Sequence, residues 1–161
     1  MQLASRIAAA GICLAALAGC SSEPPPPTFA EATQNLVRDG EKLLASHTFS
    51  QVGRFQITEK AEKDSDTGCI PGSRQRFFRA QGNFLPDGTR TPGTASLVAS
   101  GYLGLMKYDK LVDSLDFWDN NLSVIVVHNP ESAVTFMVAA RPTEPNILVV
   151  GKTDCFESEE G

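Results

Sequence analysis

Long apolar runs are scarce in this chain. After residue 19 none approaches the roughly 20 residues needed to span a hydrocarbon core, so no transmembrane helix is expected. Positive charge is also in short supply. Lys and Arg number 14 against 19 Asp and Glu, a formal charge of -5. A mildly acidic surface argues against nucleic-acid binding and against a polybasic headgroup contact. Histidine is rarer still, with His47 and His128 the two copies. Neither stands near a cysteine in sequence and no C-x-x-C occurs, so neither metal-ligand spacing nor a redox motif is in view. No G-x-S-x-G marks a serine nucleophile on a strained turn. These absences leave no residue to name as catalytic, cofactor-binding or metal-ligating, and no cofactor is expected.

What is present begins with an export signal. Residues 1–19 have a short basic start at Arg6, an apolar stretch over 7–17, and small residues before a cut. Its end, Leu17-Ala18-Gly19-Cys20, resembles a bacterial lipobox. That resemblance implies cleavage before Cys20, a diacylglyceryl group on its thiol, and a domain held on the extracytoplasmic face of the cell membrane. The lipid bilayer is then a partner through Cys20, since two or more acyl chains hold a protein durably where one does not. The alternative is an ordinary signal cut between Ala18 and Gly19, leaving Cys20 a free thiol. Cys13 is lost with the signal. Removing Arg6 with it takes the charge from -5 to about -6.

The exported part divides simply. Residues 20–28 form a tether in which four prolines, Pro24 to Pro27, favour extended geometry at about 3.1 Å per residue. A proline-rich ligand for an aromatic groove is the other reading of this stretch. Residues 29–157 make one domain, large enough to bury a core, and residues 158–161 an acidic tail. Cys69 and Cys155 are an even pair in an exported domain, which suggests a disulfide. A reactive thiol is the alternative, without a partner motif to support it.

Along the domain, Thr28-Phe29-Ala30-Glu31 is a capping box. It opens a helix over 29–46, with Phe29, Ala32, Leu36, Val37, Leu43 and Leu44 on one face and Arg38, Asp39, Glu41 and Lys42 on the other. Gly40 weakens it by about 1 kcal/mol relative to alanine. His47 is placed at its end, a favourable cation there. Residues 48–59 read as a strand with Gly53 at a bulge, 60–68 as a charged loop, and 73–84 as the next strand. Thr94 caps a second helix to about Met106, its apolar stripe being Leu97, Val98, Tyr102 and Leu105, with Gly101 allowing close packing. Residues 108–120 form a short strand or an irregular crossing. Three strands close the chain, over 122–128, 133–140 and 147–152. The fold class is α+β: a two-layer sandwich of two helices on an antiparallel sheet of about five strands, order αββαβββ. A disulfide would bring the start of the second strand beside the end of the last.

An exported lipoprotein start, a leading helix, Thr67-Gly68-Cys69 before an aromatic strand, a helix ending near Tyr108, and a meander closing on Thr153-Asp154-Cys155-Phe156 together resemble the LppA-type cell-envelope lipoproteins of actinobacteria. The resemblance implies an envelope lipoprotein with a helix-on-sheet domain. It brings no catalytic residues to carry over.

The remaining candidates for chemistry have plain alternatives. Gly151-Lys152-Thr153 matches the end of a phosphate-binding loop, but Asn146 stands where its first glycine belongs. Asp113, Asp116 and Asp119 lack the spacing of a calcium loop and read as a solvated acidic loop. Asn121-Leu122-Ser123 is formally a glycosylation sequon within a strand. Arg74, Arg76 and Arg79 straddle two strand faces and read as charge protecting an edge strand, with an anion or headgroup contact as the alternative. The leading function is therefore a non-enzymatic binding or structural module with an envelope protein or lipid as partner. A carrier of a lipid or small hydrophobic ligand, held in an apolar cavity between helices and sheet, is the second reading, and a hydrolase the third.

Overall fold

The computed structural model describes residues 25–86, 90–113 and 121–158. The signal, Cys20, the start of the tether, Trp118, Asp116, Asp119 and the end of the acidic tail lie outside the described residues.

The capping box starts the first helix as the sequence predicts. Helix α1 runs Phe29–Ala45, with the Thr28 hydroxyl accepting from the Glu31 amide and Glu31 reaching back to the Thr28 amide. Its stop is local. The Ser46 amide donates to the Leu43 carbonyl while the Ser46 hydroxyl accepts from the Phe49 amide and caps a second short helix, α2, His47–Ser50. The strand expected from 48 therefore begins later. Phe49 goes fully into the core and stacks on Phe55 with ring centroids 4.6 Å apart.

Strand β1 spans Gly53–Ser65 and β2 Ser73–Phe84. They form one long hairpin, so the charged stretch expected to be a loop from 60 is mostly strand. Gly53 opens β1 and is not its bulge. Register breaks fall at Ile57/Glu59 and Lys60/Asp64, and the second lets Ala61, at φ 58°, turn into the core. Helix α3, Pro92–Leu105, is capped by Thr91 rather than Thr94, which sits at the third position and completes a capping box. After it come β3 Asp109–Val112, β4 Ser123–Asn129, β5 Val134–Ala140, β6 Ile147–Thr153 and β7 Phe156–Glu157.

The described fold is thus α+β with three helices and a seven-stranded antiparallel sheet, ordered β1-β2-β6-β5-β4-β3 with β7 beside the start of β2. The extra helix and β7 depart from the expected order, while β3 is the short strand, one of the two readings of 108–120. The helices cover one sheet face. Leu36 and Leu43 of α1, Phe49, Leu103 of α3, and Phe78, Phe136, Val138 and Val149 of the sheet are fully buried together. Gly40 has a reason the sequence did not show: a Cβ there would stand 2.7 Å from the Phe78 ring. The helix gives up propensity so that the sheet can come close.

Val37 and Leu44 of α1 and Val98 and Tyr102 of α3 pack against the core as expected, but part of each helix face differs. Asp39 is 3% exposed, not on a solvated face; it takes the Tyr108 hydroxyl at 2.9 Å and Arg38 Nε at 2.8 Å. On α3 the buried residues are Ala95, Ser96, Ala99 and Leu103, while Leu97 and Leu105 are 75% and 85% exposed. The helix lays its small side chains on the bulky β4–β5 surface of Ile125, Val127, Phe136 and Val138, where size complementarity governs. Gly101 faces outward, with open space where a Cβ would stand.

Candidate functional site: a groove beside the sheet edge

Strand order makes β1 an edge of the sheet. Its residues Phe55 and Ile57 lie opposite Gly82 and Ala80 of β2, on the helix-covered face. Helix α1 leaves them half uncovered, and a groove of about 460 Å³ opens between its last turns and the strand. Leu44 and Ala45 form one wall and Phe55 and Ile57 the other, with Glu41, Ser50, Gly53 and Arg54 around them. The stacked Phe49–Phe55 pair stiffens the strand side. Glu41 is engaged by Lys60 at 2.5 Å. Arg54, at the border of the groove, makes no salt bridge with another described residue.

Arg54 also borders a second, more polar depression of about 480 Å³ at the same end of the sheet, lined by Gln56, Gln81, Asn83, Glu144 and Pro145 among others. What the groove offers chemically is apolar wall and the outward-facing half of the edge-strand amides and carbonyls, with Arg54 alternating to the opposite face of β1 beside Gln56. It holds no nucleophile–base pair. Among the described residues no group of three or more His, Cys, Asp and Glu is placed to hold a metal ion.

The other candidates are distributed over the molecule. Cys69 and Cys155 form a disulfide with their Cα atoms 5.7 Å apart. It joins the turn before β2 to the link between β6 and β7, two neighbouring strand ends as expected. Arg74 and Arg76 both hold Asp64, at 2.9 and 2.7 Å, and lie over the Phe29 ring. The two guanidiniums hold the Asp64 carboxyl below its ordinary pKa. Arg79 pairs with Glu59 and covers Phe77. The reading of these arginines as guards of an edge strand is corrected, because β2 lies between β1 and β6. Lys152 sits within β6, and the Thr153 hydroxyl accepts from the Arg76 amide, a structural use of the Gly151-Lys152-Thr153 stretch. Asp113 pairs with Lys110 at 2.6 Å, and Ser123 of the sequon is buried in β4. His47 begins α2 rather than ending α1. His128 approaches Asp154 at 3.3 Å on the sheet face away from the helices, outside the grooves above.

The strand expected over 48–59 contains Phe55 and Ile57 but does not reveal the groove, because edge position depends on pairings far along the chain. A usable signal was in the residues nonetheless: charges crowd 59–64, while 53–57 carry Arg54 alone. No helix among the described residues is long and apolar enough to cross a membrane. No family model, no curated protein and no solved structure matches the chain.

Proposed function

We propose that this chain is a membrane-anchored cell-envelope lipoprotein acting as a non-enzymatic binding module, held on the extracytoplasmic side through Cys20 and presenting the α1–β1 groove to its partner. The resemblance to the LppA-type lipoproteins belongs to this proposal. The disulfide supports the compartment, since such bonds persist in oxidising surroundings. The observation that carries the binding role is the groove itself: an apolar surface between Leu44 and Ile57, rimmed by Arg54, at an edge of the sheet.

Two measurements test the proposal. Mass spectrometry of the mature amino end from the native host should find an acylated Cys20; an unmodified thiol would end the anchor. A photo-crosslinking residue placed at Ile57 should give products in intact envelopes that one at Leu97, more exposed but elsewhere, does not. Equal yields from the two positions would end the role of the groove.

The carrier reading stands second, on one observation. The groove volume of about 460 Å³ exceeds the roughly 300 Å³ at which small-ligand sites begin. It predicts a lipid or apolar metabolite co-purifying with the chain in native mass spectrometry.

A further inference from the structure

This inference rests on the binding-module reading and names the chemistry of the partner. An edge strand exposes unpaired amides and carbonyls, and proteins blunt such edges with charges, bulges and proline. In β1 those devices sit in one half. Both register breaks, between Ile57 and Glu59 and between Lys60 and Asp64, fall after Ile57. So do the left-handed Ala61 and the charges of Glu59, Lys60, Glu62, Lys63 and Asp64. Residues 53–57 instead pair with β2 in unbroken register, from Gly53 opposite Phe84 to Ile57 opposite Ala80. The unguarded half of the edge is the half that borders the apolar groove.

We infer that residues 53–57 receive an extended, acidic peptide segment of a partner protein as an added strand. An apolar side chain of that segment enters between Leu44, Ala45, Phe55 and Ile57, and a carboxylate lies beside Arg54. Strand addition combines main-chain hydrogen bonds for affinity with pockets for alternate side chains for specificity, and both halves of that requirement meet here. Five residues of strand span about 17 Å, enough for one groove-facing side chain and its neighbours.

The competing occupants fit less well. An acyl chain in the groove would strip water from the neighbouring edge amides and give nothing back, at about 1–3 kcal/mol for each polar group left unpaired. A second copy pairing residues 53–57 with themselves through a two-fold would bring one Arg54 toward the other. Glu41 is engaged by Lys60, and Glu144 lines the polar depression that Arg54 also borders without an ion pair to it. An acidic segment satisfies the unpaired guanidinium directly.

The test uses the full chain in lipid nanodiscs. The probes are blocked octapeptides alternating valine and threonine, with aspartate, asparagine or lysine placed at each position in turn. At least one aspartate peptide should bind tenfold or more tightly than its lysine counterpart, and should slow amide hydrogen exchange in residues 53–57 but not in β3. Methylating alternate peptide nitrogens should weaken it at least tenfold. Arg54→Glu should reverse the charge preference, and Ile57→Lys should abolish binding with the thermal midpoint unchanged. No binding at millimolar peptide, or binding without exchange protection of residues 53–57, overturns the inference. Protection of those residues that grows with protein concentration alone assigns the edge to a second copy and also overturns it, as does occupancy by palmitate that no peptide displaces. The peptide readout does not depend on acylation, so loss of the anchor and loss of this site are told apart by the mass of the mature amino end.

Discussion

The Tyr108 hydroxyl donates to Asp39 Oδ2 at 2.9 Å, across 69 residues of chain and inside the core. Arg38 Nε donates to the other oxygen at 2.8 Å from a half-exposed position. The carboxylate is thereby buried with a partner for each oxygen, which makes its burial tolerable. The bond also ties the middle of α1 to the segment that leaves α3 for β3. Tyr108→Phe keeps the ring against Phe136 but leaves one carboxylate oxygen without its donor. We expect a loss of about 2 kcal/mol, in the range for hydrogen bonds to charged groups, read as a lower urea midpoint at constant slope.

The same pair sets a stability limit at alkaline pH. Burial first, and then the negative charge of Asp39, push the Tyr108 hydroxyl above its ordinary value of 10.0. The unfolded chain ionises this group near pH 10, while the folded chain keeps its proton. The folded state then binds more protons, so stability falls as pH rises from there and is full below it. Unfolding free energies of the wild type should drop more steeply above pH 10 than those of Tyr108→Phe. Parallel curves for the two proteins would refute the coupling.

Gly40 sets two effects of opposite sign against each other. Alanine in a helix interior gains about 1 kcal/mol over glycine. The added carbon would meet three atoms of the Phe78 ring at 2.7 to 2.8 Å, and Phe78 is fully buried. Overpacking of this kind costs about 1–3 kcal/mol. Gly40→Ala should therefore destabilise by about 1 kcal/mol, although propensity alone predicts a gain.

The Cys69–Cys155 bond closes a separation of 86 residues. In the chain-entropy model a loop of that length contributes about 4–5 kcal/mol. Replacing both cysteines with serine should lower the unfolding free energy by several kcal/mol, and a reducing agent should do the same to the wild type but not to the double variant.

The parts of the fold legible in the sequence are those governed by short-range chemistry. The Thr28 capping box, the strand over 73–84 and the closing strands stand where turn residues and alternation place them. The disulfide was legible by counting: if Cys13 goes with a signal and Cys20 carries lipid, Cys69 and Cys155 have one way to pair. Misreadings arose where a distant contact decides. Thr48 and Phe49 look like strand residues, yet the Ser46 hydroxyl caps them into helix and the core takes Phe49. Asp39 looks solvated on a helical wheel until Tyr108 is placed beside it. The groove was least legible of all: Phe55 and Ile57 border it because β1 ends the sheet, and strand order follows from the whole chain.

Helix α3 gives this distinction an experimental form. From Thr91 to Met106 it has no charged residue, so apolar periodicity barely separates one side from another, and Leu97 and Leu105 look as suited to the core as Leu103. The sheet beneath decides otherwise. Its bulky surface accepts Ala95, Ser96 and Ala99, with Leu103 as the one large side chain fully enclosed. Leu103→Ala should then cost about 2–5 kcal/mol through lost burial and the cavity left behind. Leu97→Gln should stay within about 0.5 kcal/mol of the wild type, as surface changes do. Urea unfolding of the two variants checks both. A large loss on Leu97→Gln, with little on Leu103→Ala, would mean that the helix presents its other face to the sheet.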